Sequence, residues 1–584
     1  MVQVRSFVVF LIVALVAVLP RVPSQSAAPD KDSPVSDSAS SDSADSALQA
    51  RVVRIGADRS ALERRYAVPF SELRRRRFEA FFEQELAALD ELDYESLSVA
   101  ASVDWHALRS NLWHDLRELR DDAARELEVL QAYPCLDDLV DLFEARERVD
   151  PVDGRKDAAR VDAFAAAVRA SAADTERLRA LSANLRLRAA RSVDALRRTL
   201  EEWFRFRDGY DPDFTWWTKQ PVLGATRALQ GLAASLRATR ATEVGDATLV
   251  GDPIGAEALT AALEHAWIPY SASELIAIAR REFEVVTKLR MEAARALGFD
   301  DWREAQKRVK ESFVEPGQQP ALIRSLAEEA IAWIEARDLV TVPELAKETW
   351  RMTMLSPERQ LVSPYFLGGE VIQVSYPTDA MEHEHKLMSL RGNNPHFSRA
   401  TVQHELIPGH HLQQFMNARY NPHRRAFNTP FWIEGWCLWW ELYLFDLGFP
   451  RSREDEIGML FWRAHRCARI IFSLEFQLGN WSADQCIDFL VQEVGHERRN
   501  ATAEVRRSIG GAYGPLYQAA YLLGGMQFRA LHEELCKRSD AAWSPKVFHD
   551  RILRENTLPI ELLRALLRGE KLEKSARPRW RFAG

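Results

Sequence analysis

Cysteine is scarce in this sequence, with five residues in 584, at Cys135, Cys437, Cys467, Cys486 and Cys536. The odd number and wide spacing exclude a disulfide framework as the source of stability. One disulfide remains open in an oxidising compartment, but Cys437 and Cys467 lie in apolar helical patterns and read as buried thiols. A surplus of positive charge is also lacking. The formal net charge is −8, which argues against nucleic acid as a general partner. The dense basic run Arg74–Arg77 is surrounded by acidic residues and reads as the solvated face of a helix. There is no Gly-rich phosphate loop and no convincing internal repeat.

The chain also lacks an apolar run of membrane-spanning length near its start. Phe7 to Leu19 is wholly apolar but only 13 residues long, where a span needs about 20. It follows Arg5, stops at Pro20 and leads into small residues, the layout of a secretory signal peptide. Residues 1–27 are therefore expected to direct export to the periplasm or beyond, with an uncleaved anchor as the alternative. No cysteine near the cleavage region provides a lipid-anchor signal. Residues 28–48, rich in Ser, Asp, Ala and Pro, are expected to form a disordered linker. The remaining residues, 49–584, are expected to form the folded body.

The chain has ample material for a large core or two lobes in that body: 47% of all its residues are hydrophobic, and it holds 17 Trp and 28 Phe in total. Apolar residues recur three and four apart over Arg74–Asp93, Trp105–Leu130, Asp162–Phe206 and most of the chain after Ser398, which predicts a mainly α fold. Breaks are expected at Pro134, Pro151–Gly154, Gly209–Pro212 and Gly251–Pro253. Ser271 with Glu274 reads as a capping box. One segment departs from the helical rhythm. Tyr365–Tyr376 (YFLGGEVIQVSY) has a Gly-Gly and β-favouring residues, and is expected to form a short strand or β hairpin near the active site. Such a strand edge could hold an extended substrate.

The chemistry concentrates in Thr401–Gln414, TVQHELIPGHHLQQ. Zinc takes imidazole and carboxylate ligands, and a catalytic site leaves one position for water. In the common zinc-hydrolase helix two His one turn apart bind the metal, and the Glu after the first is the base. Here the position one turn after His404 is Pro408. On an ideal helix His404 and His411 would stand about 10.5 Å apart along the axis, too far to share one ion. The helix must break, and Pro408 and Gly409 supply the means. The break is expected to bring His410 round to His404, with His411 as second choice. A third ligand is sought in Phe431–Phe449, FWIEGWCLWWELYLFDLGF, where Glu434 and Glu441 sit on one helical face of a strongly apolar stretch. A buried carboxylate needs a partner. Glu434 is expected to bind the metal and Glu441 to orient a ligating imidazole. The alternative partners are the buried arginines Arg463 or Arg469. His383 and His385 read as residues of a solvated loop, and His465 as a satisfied core residue.

The run HELIPGHHLQ followed by EGWCLWWE resembles a bacterial family of exported or lipid-anchored proteins, domain of unknown function 885 (DUF885), over about residues 48–567. The resemblance implies a zincin-like helical metallopeptidase with a deep cleft, a zinc ion at His404, His410 or His411, and Glu434, and Glu405 as base, acting on a peptide substrate. Glu504–Arg507 and Pro515–Gly524 also resemble family segments. In that light Tyr521 is a candidate oxyanion donor and Arg507 a candidate clamp for a substrate carboxylate. The sequence departs from the family pattern at Ser473, Gln477 and Leu522. This leaves open a catalytically weakened binding protein on the same fold, or a zinc amidohydrolase acting on a non-peptide amide.

Overall fold

The computed structural model describes residues 38–133, 136–238, 249–360, 365–511, 513–537 and 542–583. The expected signal segment, the first part of the linker and Cys135 lie outside them. The latter part of the linker does not behave as expected. Ser38–Arg65 is one helix, and its Leu48 and Val52 are 2% and 1% exposed. The helical body therefore starts some ten residues earlier than the composition suggests, because an apolar stripe at Leu48, Val52 and Ile55 finds a core to join.

Helices make up most of the fold, and they bury two main cores. The smaller is built by Asp137–Arg148, Gly154–Ala173, Ala183–Arg205 and Pro212–Ala238, around Phe143, Val193, Leu196, Trp203 and Leu229. The larger includes most of the chain after Ala272, together with the N-terminal helices. One long helix, Val99–Val129, joins them. Its first half is buried in the larger core, its middle is charged and largely exposed, and Val129 enters the smaller core.

Local signals explain many boundaries. Ser271 and Glu274 form the expected capping box at the start of Ala272–Ala296. The helical stretch expected from Asp162 to Phe206 is in fact three helices. Asp174 caps Thr175–Ala180, and Ser182 caps Ala183–Arg205, each accepting a backbone N–H with its side chain. His383 and His385 lie in a helix, His383–Gly392, rather than in a loop.

The Tyr365–Tyr376 segment is not a two-stranded hairpin. Its strand β2 (Val371–Val374) pairs in parallel with β1 (Arg351–Met354), and a single antiparallel bridge, Leu367 to Gln373, closes a turn at Gly368-Gly369. Gln373 exchanges both backbone hydrogen bonds with Leu367, at 2.8 and 3.0 Å. The β2 edge at that point is therefore already occupied. Ile372 and Val374 pack into a small third core with Val402 and Leu406, which seats the turn against the main motif.

Candidate metal centre and its cleft

The motif helix runs Pro395–Glu405, stops, and resumes as His410–Asn417. The break has a backbone logic. Gly409 N–H bonds to the Gln403 carbonyl at 3.0 Å, and His411 N–H reaches back to the Leu406 carbonyl at 2.9 Å. A Cβ at Gly409 would overlap the His404 carbonyl, so only glycine fits this close return. The buried Trp436 indole fixes the loop from outside by donating to the Pro408 carbonyl at 2.9 Å. The result sets the His404 and His410 rings 5.0 Å apart, edge to face. His411 turns away, with its Nε2 2.7 Å from the Ala346 carbonyl.

Glu434 comes from the helix Pro430–Asp446, whose Trp-rich sequence is buried on nearly every side. Its Oε2 lies 3.5 Å from His404 Nε2 and 3.2 Å from His410 Nε2, yet makes no aligned hydrogen bond. A buried acceptor left in that state costs stability unless something fills the gap. His404, His410 and Cys437 also present ligand atoms within 4.8 Å of one another, a cluster that could hold a metal ion. Cys437 is the weaker candidate on charge. Burial, and then the carboxylates of Glu434, Glu405 and Glu441, push its thiol well above the usual range, so the thiolate that binds metals is disfavoured. The neighbouring imidazoles favour the ionised form of Glu434. Burial alone would raise its pKa, but His410 and His404 hold it well below the ordinary value.

Glu441, one face-repeat on, lies 2.7 Å from His404 Nδ1, an ion-pair contact off the line of an ideal hydrogen bond. It also accepts from Arg466 at 3.1 Å. The arginine is neither of those expected, because Arg463 pairs with Glu282 and Arg469 with Glu504. Burial works against a charge on His404, but Glu434 and Glu441 outweigh it and raise its pKa to about 9. Two buried carboxylates facing these imidazoles thus call for a cation, either a proton or a metal ion.

These groups line one cleft of about 340 Å³. Glu405 is in it, on the residue after His404, with the Gly368-Gly369 turn packed directly on it. A Cβ at Gly368 would overlap Glu405 Oε2, and Gly369 N–H donates to the Glu405 carbonyl at 3.1 Å. Tyr521 enters from the helix Tyr517–Cys536, its ring 6.0 Å from that of His404 and nearly parallel to it. That helix crosses the Glu434 helix at glycines: a Cβ on Gly435 would overlap Gly524, and one on Gly524 would overlap the Phe431 carbonyl. The tight crossing brings Tyr517 into the site, where its hydroxyl donates to Glu434 Oε1. Burial, then Glu434, raises the pKa of Tyr521, which keeps its phenol a donor. Arg507, from Arg498–Ile509, reaches the same cleft.

The structure therefore gathers His404, Glu405, His410, Glu434, Tyr521 and Arg507 around one cleft, with Glu441 behind His404, and leaves His411 out. Sequence reasoning missed Tyr517, which stands one turn before Tyr521, and Arg466, which falls midway between two other arginines of one largely buried helix, Arg453–Gln477. The departures from the family pattern do not line the cleft. Gln477 accepts the Ile254 N–H at 3.1 Å, and Leu522 and Ser473 are buried. His465 is buried against His496, 2.9 Å away.

A family model described as "Bacterial protein of unknown function (DUF885)" matches residues 51–567. Among solved structures, a candidate lipoprotein of unknown function from Shewanella oneidensis is similar at a TM-score of 0.66 and 15% identity, covering 90% of this chain and 99% of its own. A candidate lipoprotein from Colwellia psychrerythraea is similar at 0.57 and 14% identity, covering 91% and 98%. At such identities the likeness shows a shared fold. No curated protein matches the chain.

Proposed function

We propose that this chain, which belongs to the DUF885 family of bacterial proteins of unknown function, is an exported zinc-dependent peptidase with a zincin-like site. One observation carries the reading. A buried, unbonded carboxylate oxygen of Glu434 stands between two imidazoles at the wall of a cleft that also holds Glu405. The donor set of two nitrogens and one carboxylate oxygen suits a catalytic zinc. His404, His410 and Glu434 would hold the ion. Bound there, zinc would polarise a carbonyl and bring the pKa of a water to about 7.

The chain's own residues supply the rest. Glu441, backed by Arg466, fixes the His404 ring through Nδ1. Tyr517 holds Glu434 through Oε1 and leaves Oε2 for the metal. The Glu405 carboxylate takes a proton from the attacking water and passes it to the leaving nitrogen. Tyr521 donates its hydroxyl hydrogen to the carbonyl oxygen as negative charge develops there. The N-terminal segment and the lipoprotein descriptions of the two similar structures support export. Among the described residues no helix is long and apolar enough to cross a membrane.

The test pairs metal content with turnover. Elemental analysis of the purified protein is expected to find one zinc per chain, lost in His404→Ala. Glu405→Gln is expected to keep the zinc while cleavage of a mixed peptide library falls by about 10²–10⁴-fold. Zinc-free protein, or cleavage untouched by chelation and by Glu405→Gln, would overturn the reading.

A further inference from the structure

Away from His404 the cleft wall is rich in donors. Arg466 and Arg469, one turn apart on a buried helix, both lie over the Tyr521 ring, their guanidinium carbons 4.8 and 4.5 Å from its centre. Arg507 lies over Tyr513 at 5.0 Å. Arg466 is committed to Glu441. Arg469 and Arg507 face a single carboxylate, Glu504, which accepts from Arg469 Nε at 2.7 Å. Among the described residues no carboxylate comes within ion-pairing distance of Arg507. Arg469 Nη1 and Arg507 Nε are buried without hydrogen-bond partners, as is the second oxygen of Glu504. Arg469 is 3% exposed. With Glu504 taken up by Arg469, one positive charge is left over among the guanidiniums that line the cleft. Burying such a charge is costly unless an anion arrives to meet it.

The position of this surplus charge says what the anion is attached to. From the His404 ring to Tyr521 is 6.0 Å, and from Tyr521 to Arg469 is 4.5 Å. These centre-to-centre steps put the Arg469 guanidinium no more than about 10.5 Å from the His404 ring, a separation that suits about one extended residue, roughly 3.5 Å, with a hydrogen bond at each end.

Resting on the peptidase reading above, we infer that the cleft selects substrates with a carboxylate one residue from the scissile bond, held by Arg469 and Arg507, so that the protein acts as an exopeptidase on free C termini. A guanidinium fork suits a carboxylate because two parallel N–H groups match its two oxygens. An acidic side chain at the same distance offers the same chemistry, and the test separates the two sources.

The first readout is binding, which does not depend on turnover. Calorimetry on the full chain would compare N-acetyl-phenylalanine with its amide. The acid is expected to bind about 10- to 100-fold more tightly, the size of a charge-assisted hydrogen bond to a buried partner. Arg507→Gln is expected to erase that preference, and Arg507→Lys to restore part of it. Equal binding of acid and amide, no binding of either, or a preference that survives Arg507→Gln would overturn the inference. The second readout is cleavage of one peptide with a free C terminus, with a C-terminal amide, and with an amide after a terminal Glu. Cleavage of the free acid alone assigns the carboxylate to the C terminus. Equal cleavage of the Glu amide assigns it to a side chain and overturns the exopeptidase assignment. If no peptide is cleaved but the acid–amide difference stands, the activity reading fails alone. If all three peptides are cleaved equally, this inference fails alone.

Discussion

The two main cores bury different things. The smaller core is aliphatic and aromatic, closed by Val193, Leu196, Leu200 and Trp203. There is no histidine in the sequence between His114 and His265, so this lobe has none. The larger core buries charge and imidazole deeply: Arg466 and Arg469, Glu434, Glu441 and Glu504, and His404, His465, His496 and His549 are each at most 5% exposed. Apolar burial alone stabilises a lobe, whereas buried ions cost stability unless each is matched. The smaller core thus has the composition of a scaffold, and the larger one carries an electrostatic cost of the kind that gathers at functional sites.

The largest expected effect that sharpens this contrast is acid sensitivity. Burial holds His106 down to about 4 and His496 and His549 to about 3, and pushes His465 well below its ordinary value. The unfolded chain takes up these protons below about pH 6.5, while in the folded chain His106, His496 and His549 do not until pH 3–4, and His465 is held down in the same direction. Stability contributed by these neutral rings is therefore present above pH 6.5 and is lost as pH falls, by up to about 1.4 kcal/mol per pH unit for each histidine. Glu504, held to about 2 against its burial by Arg469 and Arg507, adds a loss from about pH 4.5 downward. Hydrogen exchange, corrected for intrinsic rates, is expected to show the larger lobe losing protection between pH 7 and pH 5 while residues 137–238 keep theirs. Simultaneous loss in both lobes would break the comparison.

A smaller effect comes from the other side. Trp203 is 2% exposed and packs edge to face on Phe214, at 5.1 Å. Trp203→Ala is expected to cost about 3–5 kcal/mol through the cavity it leaves. Thermal unfolding should report that loss, while the metal content of the folded fraction stays at the wild-type value. A fall in metal content would show that the lobes are coupled and that the smaller one is more than a scaffold.

The same contrast governs what could be read from the sequence. The helical class, the capping box at Ser271 and the need for a break at Pro408-Gly409 follow from local rules, because period, caps and backbone sterics act within a few residues. Asp174 and Ser182 were hidden, because a capping residue inside an unbroken apolar period looks like any polar surface position. The pairing of β1 with β2 was hidden because RMTM has no strand signal, and its partner lies seventeen residues beyond its end. At the site, residue types announced themselves, since carboxylates in a Trp-rich helix need a reason to be there. Choices between neighbours did not. His411 is drawn away by the carbonyl of Ala346, 65 positions earlier in the chain, and Glu441 takes Arg466 rather than an arginine one turn to either side. Such choices belong to tertiary packing, which a one-dimensional pattern does not encode.

The smallest expected effect sets the two lobes against each other most directly, because it uses the same residue type. Trp436 is fully buried, as Trp203 is, but its indole N–H holds the Pro408 carbonyl in the loop that brings His410 to His404. Trp436→Phe keeps most of the apolar surface and removes that one donor. The carbonyl left without a partner costs about 1–3 kcal/mol, less than the cavity at Trp203. The consequence for the site should nevertheless be larger. A loop freed to shift alters the spacing of the two imidazoles proposed to hold the ion, and ligand distances tolerate only about 0.2 Å. Trp436→Phe is therefore expected to lower zinc affinity at least tenfold in a chelator competition, with a small fall in melting temperature. Trp203→Phe, which also keeps an aromatic ring, is expected to leave zinc affinity at the wild-type value. If the two variants bind zinc equally well, the Trp436 bond is packing and no more, and the register of His410 is set by Gly409 and its backbone hydrogen bonds alone.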